Sequence, residues 1–387
     1  MTALLRPATE ILEKLVGFDT VSRNSNLALI EWIARHLAGQ GVAATVLKSP
    51  DGTKANLFAS IGPRTDGGIV LSGHTDVVPV DGQIWLRDPF RMTSENGRYY
   101  GRGTTDMKGY IACVLALVPQ LLQARLKRPV HFAFSYDEEV GCFGAHGLVD
   151  HIKAAGIRPH MAFIGEPTRM QVVNGHKGSC GMLTSITGRS CHSSRTDLGA
   201  NAIYAAMDVV AVLRRRAEAL EADPSDTMFD PPYTTVSVGV LNSGTARNAV
   251  PGDATIQWDI RATRPGMLDP IRQELDAEVR GRILPALRAR HAGAEIATET
   301  IYDVPPLTPE PDAEAEVLAK RLAGTNDATT APYGSEAGIF QQAGIPTIIC
   351  GPGDIAQAHI ADEWIEVSEL ESCLGFLARL VKHESAS

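Results

Sequence analysis

The sequence predicts an α/β protein: a mainly parallel sheet covered by helices on both faces, with an α+β domain inserted into it. Three observations carry this. Through the first 177 residues, short apolar runs bounded by Gly, Pro or Asp alternate with helix-period segments, and runs apolar on both faces are those of a buried parallel sheet. From about residue 178 the pattern becomes β-α-β-β-α-β, the split-βαβ order in which one antiparallel sheet carries two helices on one face. After Pro305 and Pro306 the first pattern returns. Residues 1–177 and 306–387 are therefore expected to form one discontinuous domain, and 178–305 the insert.

Taken in order, residues 8–16 and 27–39 repeat apolar side chains at intervals of three and four, as helices do. GGIVLSG (67–73), PVHFAFS (129–135) and HMAFIG (160–165) read as strands. MKGYIACVLALVPQLL (107–122) is long enough for a buried helix, kinked or ended near Pro119. In the insert, a strand at 179–188 precedes an amphipathic helix at 201–220 and two period-two strands, 234–242 and 253–262. A Pro-led helix from about 266 to 290 and a strand at 294–304 complete it. Helices at 312–323 and 335–343, the strand IPTIIC (345–350) and a helix at 368–382 close the chain.

Composition narrows the class. A chain of 387 residues, 44% hydrophobic and 21% charged, buries a large core without a disulfide or metal to hold it. Its formal charge of −9 argues against nucleic-acid or anionic-membrane partners. No stretch approaches eighteen uninterrupted apolar residues, so no membrane span is expected. The first residues lack the basic–apolar–small layout of a secretion signal. The six cysteines form no C-x-x-C pair and read as reduced core thiols. A soluble cytoplasmic protein is expected.

Polar residues gather where the strands of the first domain end. The run at 67–73 leads into His74 and Asp76, that at 129–135 into Asp137-Glu138-Glu139, and that at 160–165 into Glu166. The run at 345–350 leads into Gly351-Pro352-Gly353, with His359 shortly after, and Asp106 sits just before the helix at Met107. The carboxyl ends of parallel strands form the ligand crevice of an open α/β sheet. Two histidines and five carboxylates (Asp76, Asp106, Glu138, Glu139, Glu166) would share that crevice. Carboxylates so close raise one another's pKa unless a cation is present. A pair of divalent metals resolves the conflict, and imidazoles mixed with carboxylates suit zinc, or cobalt in its place. Each element alone has a plainer reading: a surface histidine, a solvated acidic loop, an Asp106 helix cap, a Gly-Pro turn. Their coincidence at strand ends favours a site. Nucleotide-binding and serine-hydrolase readings lack their motifs, since no G-x-G-x-x-G follows a strand and neither G-K-[ST] nor G-x-S-x-G occurs. A non-catalytic member of such a fold would be expected to have lost part of the set.

The segments SGHTDVVPV, YGRGTTDMKG, SYDEEVG, IGEPT, CHSS, GTARNAVP and GPGDIAQAHIADEWI resemble the family of co-catalytic metallopeptidases and deacylases. That family includes acetylornithine deacetylase, succinyl-diaminopimelate desuccinylase, aminoacylase and glutamate carboxypeptidase. HTDVVPVDG…W…DPF, IGEPT, HKG and GPG.I.QAH..DE are most similar to its members acting on N-acetyl-ornithine. The resemblance implies two zinc ions per chain, with cobalt able to substitute. It implies His74 and Glu166 on one metal, Glu139 and His359 on the other, and Asp106 bridging both. Asp76 would orient the His74 imidazole, and Glu138 would be the general base. His192, Asn248 and Arg261, in the insert, would contact the substrate's carbonyl and carboxylate. The implied activity is removal of acetyl from N2-acetyl-L-ornithine, or the same chemistry on another N-acyl amino acid, succinyl-diaminopimelate or a dipeptide. A homodimer through the insert, with His192 reaching the neighbouring chain's site, is implied as well. Glu336 is a candidate for reading the substrate's side-chain amine, its plainer role being to cap the helix at 335–343.

Overall fold

Strands Ile69–His74, Val130–Ser135 and Met161–Pro167 are buried at every residue, as strands covered on both faces must be. The structure, a computed structural model, describes residues 3–386. In it Ile69–His74 lies between the other two, parallel to both, and Met161–Pro167 is parallel to Thr347–Gly351 in turn. Antiparallel strands extend this centre, Ala55–Ile61 and Ala44–Lys48 on one side and Val173–His176 on the other, and Thr329–Ala331 lies beyond Val173–His176 as the eighth strand. The sheet is mostly parallel at its core and flanked by helices. Its parallel strands end side by side, at His74, Ser135, Pro167 and Gly351.

Helix Lys108–Ala116 is buried on every side and packs against helices Leu5–Val16 and Val367–Glu384 in one apolar core. It stops at Leu117, and a second helix, Val118–Gln123, begins with Pro119 in its first turn, where a missing N–H does no harm. Among the described residues, one compact unit comprises the chain up to Gly175, Leu307–Thr330 and the chain from Ser335 onward. The other comprises His176–Pro306 and Ala331–Gly334.

The second unit has a four-stranded antiparallel sheet in the order Thr235–Ser243, Asp253–Ala262, Gly178–Thr187, Glu295–Val304. Along Asp253–Ala262 the alternate residues Ala254, Ile256, Trp258 and Ile260 are buried, the period-two signature of a sheet with one covered face. Val209, Val212 and Leu213 of helix Ala202–Glu221 and Ile271 and Leu275 of helix Leu268–Glu278 join them in one cluster. Both helices thus cover the same face.

The sequence predicts no strand between 39 and 67, yet Ala44–Lys48 and Ala55–Ile61 pair there. The polar Asn56 interrupts their apolar pattern. It is buried because its amide donates to the Gly144 carbonyl (2.8 Å) and its Oδ1 accepts from the Tyr136 N–H (3.2 Å). The continuous helix expected from 266 to 290 is instead α-helix to Glu278, π-helix over Val279–Ile283 and α-helix over Leu284–Arg288. Gly281 sits in the widened turn. Among the described residues no helix is long and apolar enough to cross a membrane.

Candidate metal centre

Five segments of the first unit bring their polar residues together. His74 ends its strand, 1% exposed. Its Nδ1 donates to the Asp76 backbone carbonyl (2.9 Å), which leaves Nε2 directed at Asp106 Oδ1, 2.9 Å away. The other Asp106 oxygen, Oδ2, lies 3.2 Å from His359 Nε2. That same nitrogen is 3.1 Å from Glu139 Oε2. Asp106 therefore stands between the two imidazoles with one oxygen toward each. His74, Asp106 and Glu139 place one ligand atom each within 4.8 Å of the others, and so do His74, Glu138 and Glu166.

Local backbone explains how each residue arrives. Glu166 follows Gly165, where a Cβ would fall 2.0 Å from the buried Tyr110 ring; only glycine lets this strand end pack so close to helix Lys108–Ala116. His359 has φ +62°, a left-handed conformation that turns the chain sharply after the Gly351–Gly353 loop. Glu138 and Glu139 follow Asp137, itself at φ +55°. Their N–H groups donate to Asp76 Oδ1 (3.1 Å) and Oδ2 (3.3 Å).

The electrostatics are those of crowded acids. Burial first, and then neighbouring Glu139 and Asp106, raise Glu138 to about 8 against the pull of His74. Burial and then Asp106 raise Glu139 to about 7. Glu166 is driven well above the carboxylate range by burial and by Glu138. Burial would raise Asp106 too, but hydrogen bonds from His359 and His74 outweigh it and hold this carboxylate low. The hydrogen bonds to Asp106 and Glu139 raise His359 to about 10. Such a set is balanced when positive charge enters it. Among the described residues, Glu139 Oε1 and Glu166 Oε1 are buried without a hydrogen-bond partner, whereas buried carboxylate oxygens are ordinarily satisfied. Orphaned oxygens beside imidazole nitrogens fit divalent metal ions of the zinc type.

Asp76 faces the His74 imidazole with its backbone carbonyl, which accepts from Nδ1, and with its carboxylate, whose Oδ1 is 3.7 Å from Nδ1. The carboxylate accepts from Ser22 Oγ (2.7 Å) and from the two glutamate N–H groups, so it shapes the turn carrying Glu138 and Glu139. Glu336 neither caps its helix by its side chain nor faces solvent. It is fully buried and accepts from Ser72 Oγ (2.5 Å) and Ser135 Oγ (2.7 Å) on two central strands, so it is not available to a substrate amine.

The remaining candidates belong to the second unit. His192 pairs with Ala249 across a two-residue ladder, and Asn248 accepts the Ser193 N–H on its carbonyl (3.0 Å), so these two exposed residues are neighbours. His192 Nδ1 accepts from the Ser194 N–H (3.2 Å), which assigns the ring proton to Nε2. Arg261 Nε donates to Asp259 Oδ1 (3.0 Å) two residues along the same strand face. Sequence reasoning missed Cys142, whose Sγ donates to Glu138 Oε1 (3.3 Å). Its four-residue spacing from Glu138 is the one signal available.

Residues 70–383 match the model of peptidase family M20/M25/M40. Acetylornithine deacetylase of Pasteurella multocida is 33% identical over 359 residues, covering 92% of this chain and 91% of that one. That of Myxococcus xanthus is 35% identical over 385 residues, covering 96% of each. The fold is that of an M20 family metallo-carboxypeptidase from Sulfolobus solfataricus (TM-score 0.73, 20% identity, 97% and 98% covered). It is also that of a dinuclear metal binding peptidase of Bacillus subtilis (TM-score 0.68, 17% identity, 98% of each). With that match spanning most of its length and both metal-capable groups in place, the chain belongs to peptidase family M20/M25/M40 and is a metal-dependent amidohydrolase.

Proposed function

We propose that this enzyme removes the acetyl group from N2-acetyl-L-ornithine, giving L-ornithine and acetate. The observation that carries the chemistry is the Asp106 carboxylate set between His74 and His359, with Glu139 and Glu166 alongside. The substrate rests on the curated relatives, which are named acetylornithine deacetylase along nearly their whole length. His74 and Glu166 would hold one zinc and Glu139 and His359 the other, with Asp106 serving both; cobalt would substitute for either. Bound there, such ions polarise a carbonyl and make water nucleophilic near neutral pH.

Glu138 takes the proton of the attacking water and passes it to the departing amine. Its position suits this, since the Asp76 carboxylate anchors its backbone and Cys142 donates to its side chain. His192 donates a hydrogen bond through its Nε2–H to the oxyanion that forms at the acyl carbon. Asn248 supports the same carbonyl, and the Arg261 guanidinium meets the substrate's α-carboxylate. The inserted unit forms a homodimer, in which His192 serves the neighbouring chain. Support comes from its edge strand Thr235–Ser243, where Val240 and Leu241 are exposed, and from Tyr204 and Met207, 69% and 61% exposed on helix Ala202–Glu221. Apolar surface beside an unpaired strand edge is surface that a second copy would cover. The enzyme acts on a small molecule in the cytoplasm.

The deciding experiment is a hydrolysis screen of N-acetyl-ornithine against N-succinyl-diaminopimelate, dipeptides and other N-acyl amino acids, with zinc or cobalt supplied. N-acetyl-ornithine should give the highest kcat/KM. A higher value for a succinylated substrate or a dipeptide would keep the chemistry and replace the substrate.

A further inference from the structure

Glu363 lies four residues beyond His359 and is fully buried. Its Oε1 accepts the N–H groups of Thr105 (2.9 Å) and Asp106 (3.1 Å). Its Oε2 accepts the N–H of Gly103 (2.9 Å) and Nη1 of Arg102 (2.8 Å). One carboxylate thus gathers three backbone donors of the turn that ends in Asp106. Arg102, 1% exposed, carries the connection further: Nη1 also donates to the Ile360 carbonyl (3.3 Å) and Nη2 to Gln83 Oε1 (2.7 Å). Gln83 in turn donates through Nε2 to the backbone carbonyl of His359 (2.8 Å).

An ion pair buried this deeply is poor evidence for stability, because desolvation offsets its attraction and apolar replacements often do as well. What an apolar pair could not do is orient these backbone groups. The network spans 24 residues or fewer on one side (Gln83 to Asp106) and five on the other (His359 to Glu363), and both sides present a group of the metal centre. We propose that Glu363, acting through Arg102 and Gln83, is the positioning residue that holds Asp106 and His359 at the mutual distance a metal pair requires. Groups that orient metal ligands from outside are commonly worth 10–100-fold in affinity. This rests on the assignment of Asp106 and His359 as ligands.

The test is metal titration of the apoprotein by calorimetry, together with the visible absorption of the cobalt-loaded form, for wild type, Glu363→Gln and Gln83→Ala. Wild type taking up two ions per chain establishes the centre; failure to do so would remove the ligand assignment itself. Given two ions in wild type, Glu363→Gln should bind them 10–100-fold more weakly and alter the cobalt spectrum, since an amide cannot accept on both sides. A folded Glu363→Gln protein with wild-type affinity and spectrum would overturn the proposal, showing a purely structural pair. Should that variant fail to fold, Gln83→Ala decides, as it leaves Glu363 and Arg102 paired. Weaker binding with a shifted spectrum supports the network, and unchanged binding and spectrum refute it.

Discussion

In the first unit, Glu138, Glu139 and Glu166 crowd with Asp106 beside the ends of parallel strands; burial and neighbouring carboxylates raise the three glutamates, while His359 and His74 hold Asp106 low. In the second, His192 and Asn248 stand on exposed backbone, and Arg261 has a local partner in Asp259. The sheets account for the contrast. A parallel sheet covered on both faces leaves only its strand ends for polar groups, so charge accumulates there. An antiparallel sheet with one bare face disperses polar residues along every strand. The crowded region has the donor groups that hold cations, and the dispersed one has the exposed groups that the proposed function turns toward a substrate or a second chain.

Removing the cations should therefore have the largest effect. Chelation is expected to abolish hydrolysis, and zinc or cobalt to restore it, with elemental analysis returning two ions per chain. Full activity with one tightly bound ion would break the bridged arrangement. Glu138→Gln is expected to lose ~10²–10⁴-fold in turnover while keeping both metals; a near-normal rate would show that the base lies elsewhere.

His192→Ala should lower kcat by ~10²–10³-fold, the usual worth of one oxyanion donor, with metal content unchanged because, among the described residues, the groups able to hold a metal lie in the first unit. Coexpressing it with Glu138→Ala sharpens the comparison. If His192 serves the neighbouring chain, random pairing makes about half the dimers mixed, each with one intact site of two, and about a quarter of wild-type activity returns. If it serves its own chain, every site carries a defect and none returns.

Glu336→Gln should reduce kcat/KM by the same factor for N-acetyl-ornithine and for an uncharged N-acetyl amino acid, since its carboxylate is enclosed by Ser72 and Ser135. A selective loss for the cationic substrate would contradict that enclosure. The smallest change belongs to the core of the second unit: Ile256→Val, at a fully buried site, should lower stability by ~0.5–1.5 kcal/mol in thermal melts and leave metal binding alone.

His74, Asp106, Glu138, Glu139, Glu166 and His359 were legible as site candidates because each follows a recognisable strand or precedes a helix, and sheet topology brings such ends together. Strand and helix periods likewise disclosed the two sheets, since each burial pattern repeats within a few residues. Ser72 and Glu336 are 264 residues apart, and Glu363 is 257 from the Asp106 N–H that it accepts; no local spacing announces such pairs. The same holds for Asn56, whose partners lie 80 and 88 residues away and turn a polar break into a buried strand position. Periodicity and chemical type, which the sequence determines by itself, depend on neighbours along the chain. Which carbonyl meets His74 Nδ1, and which carboxylate gathers the N–H groups before Asp106, only the tertiary structure decided, because those contacts form once distant segments share one interior.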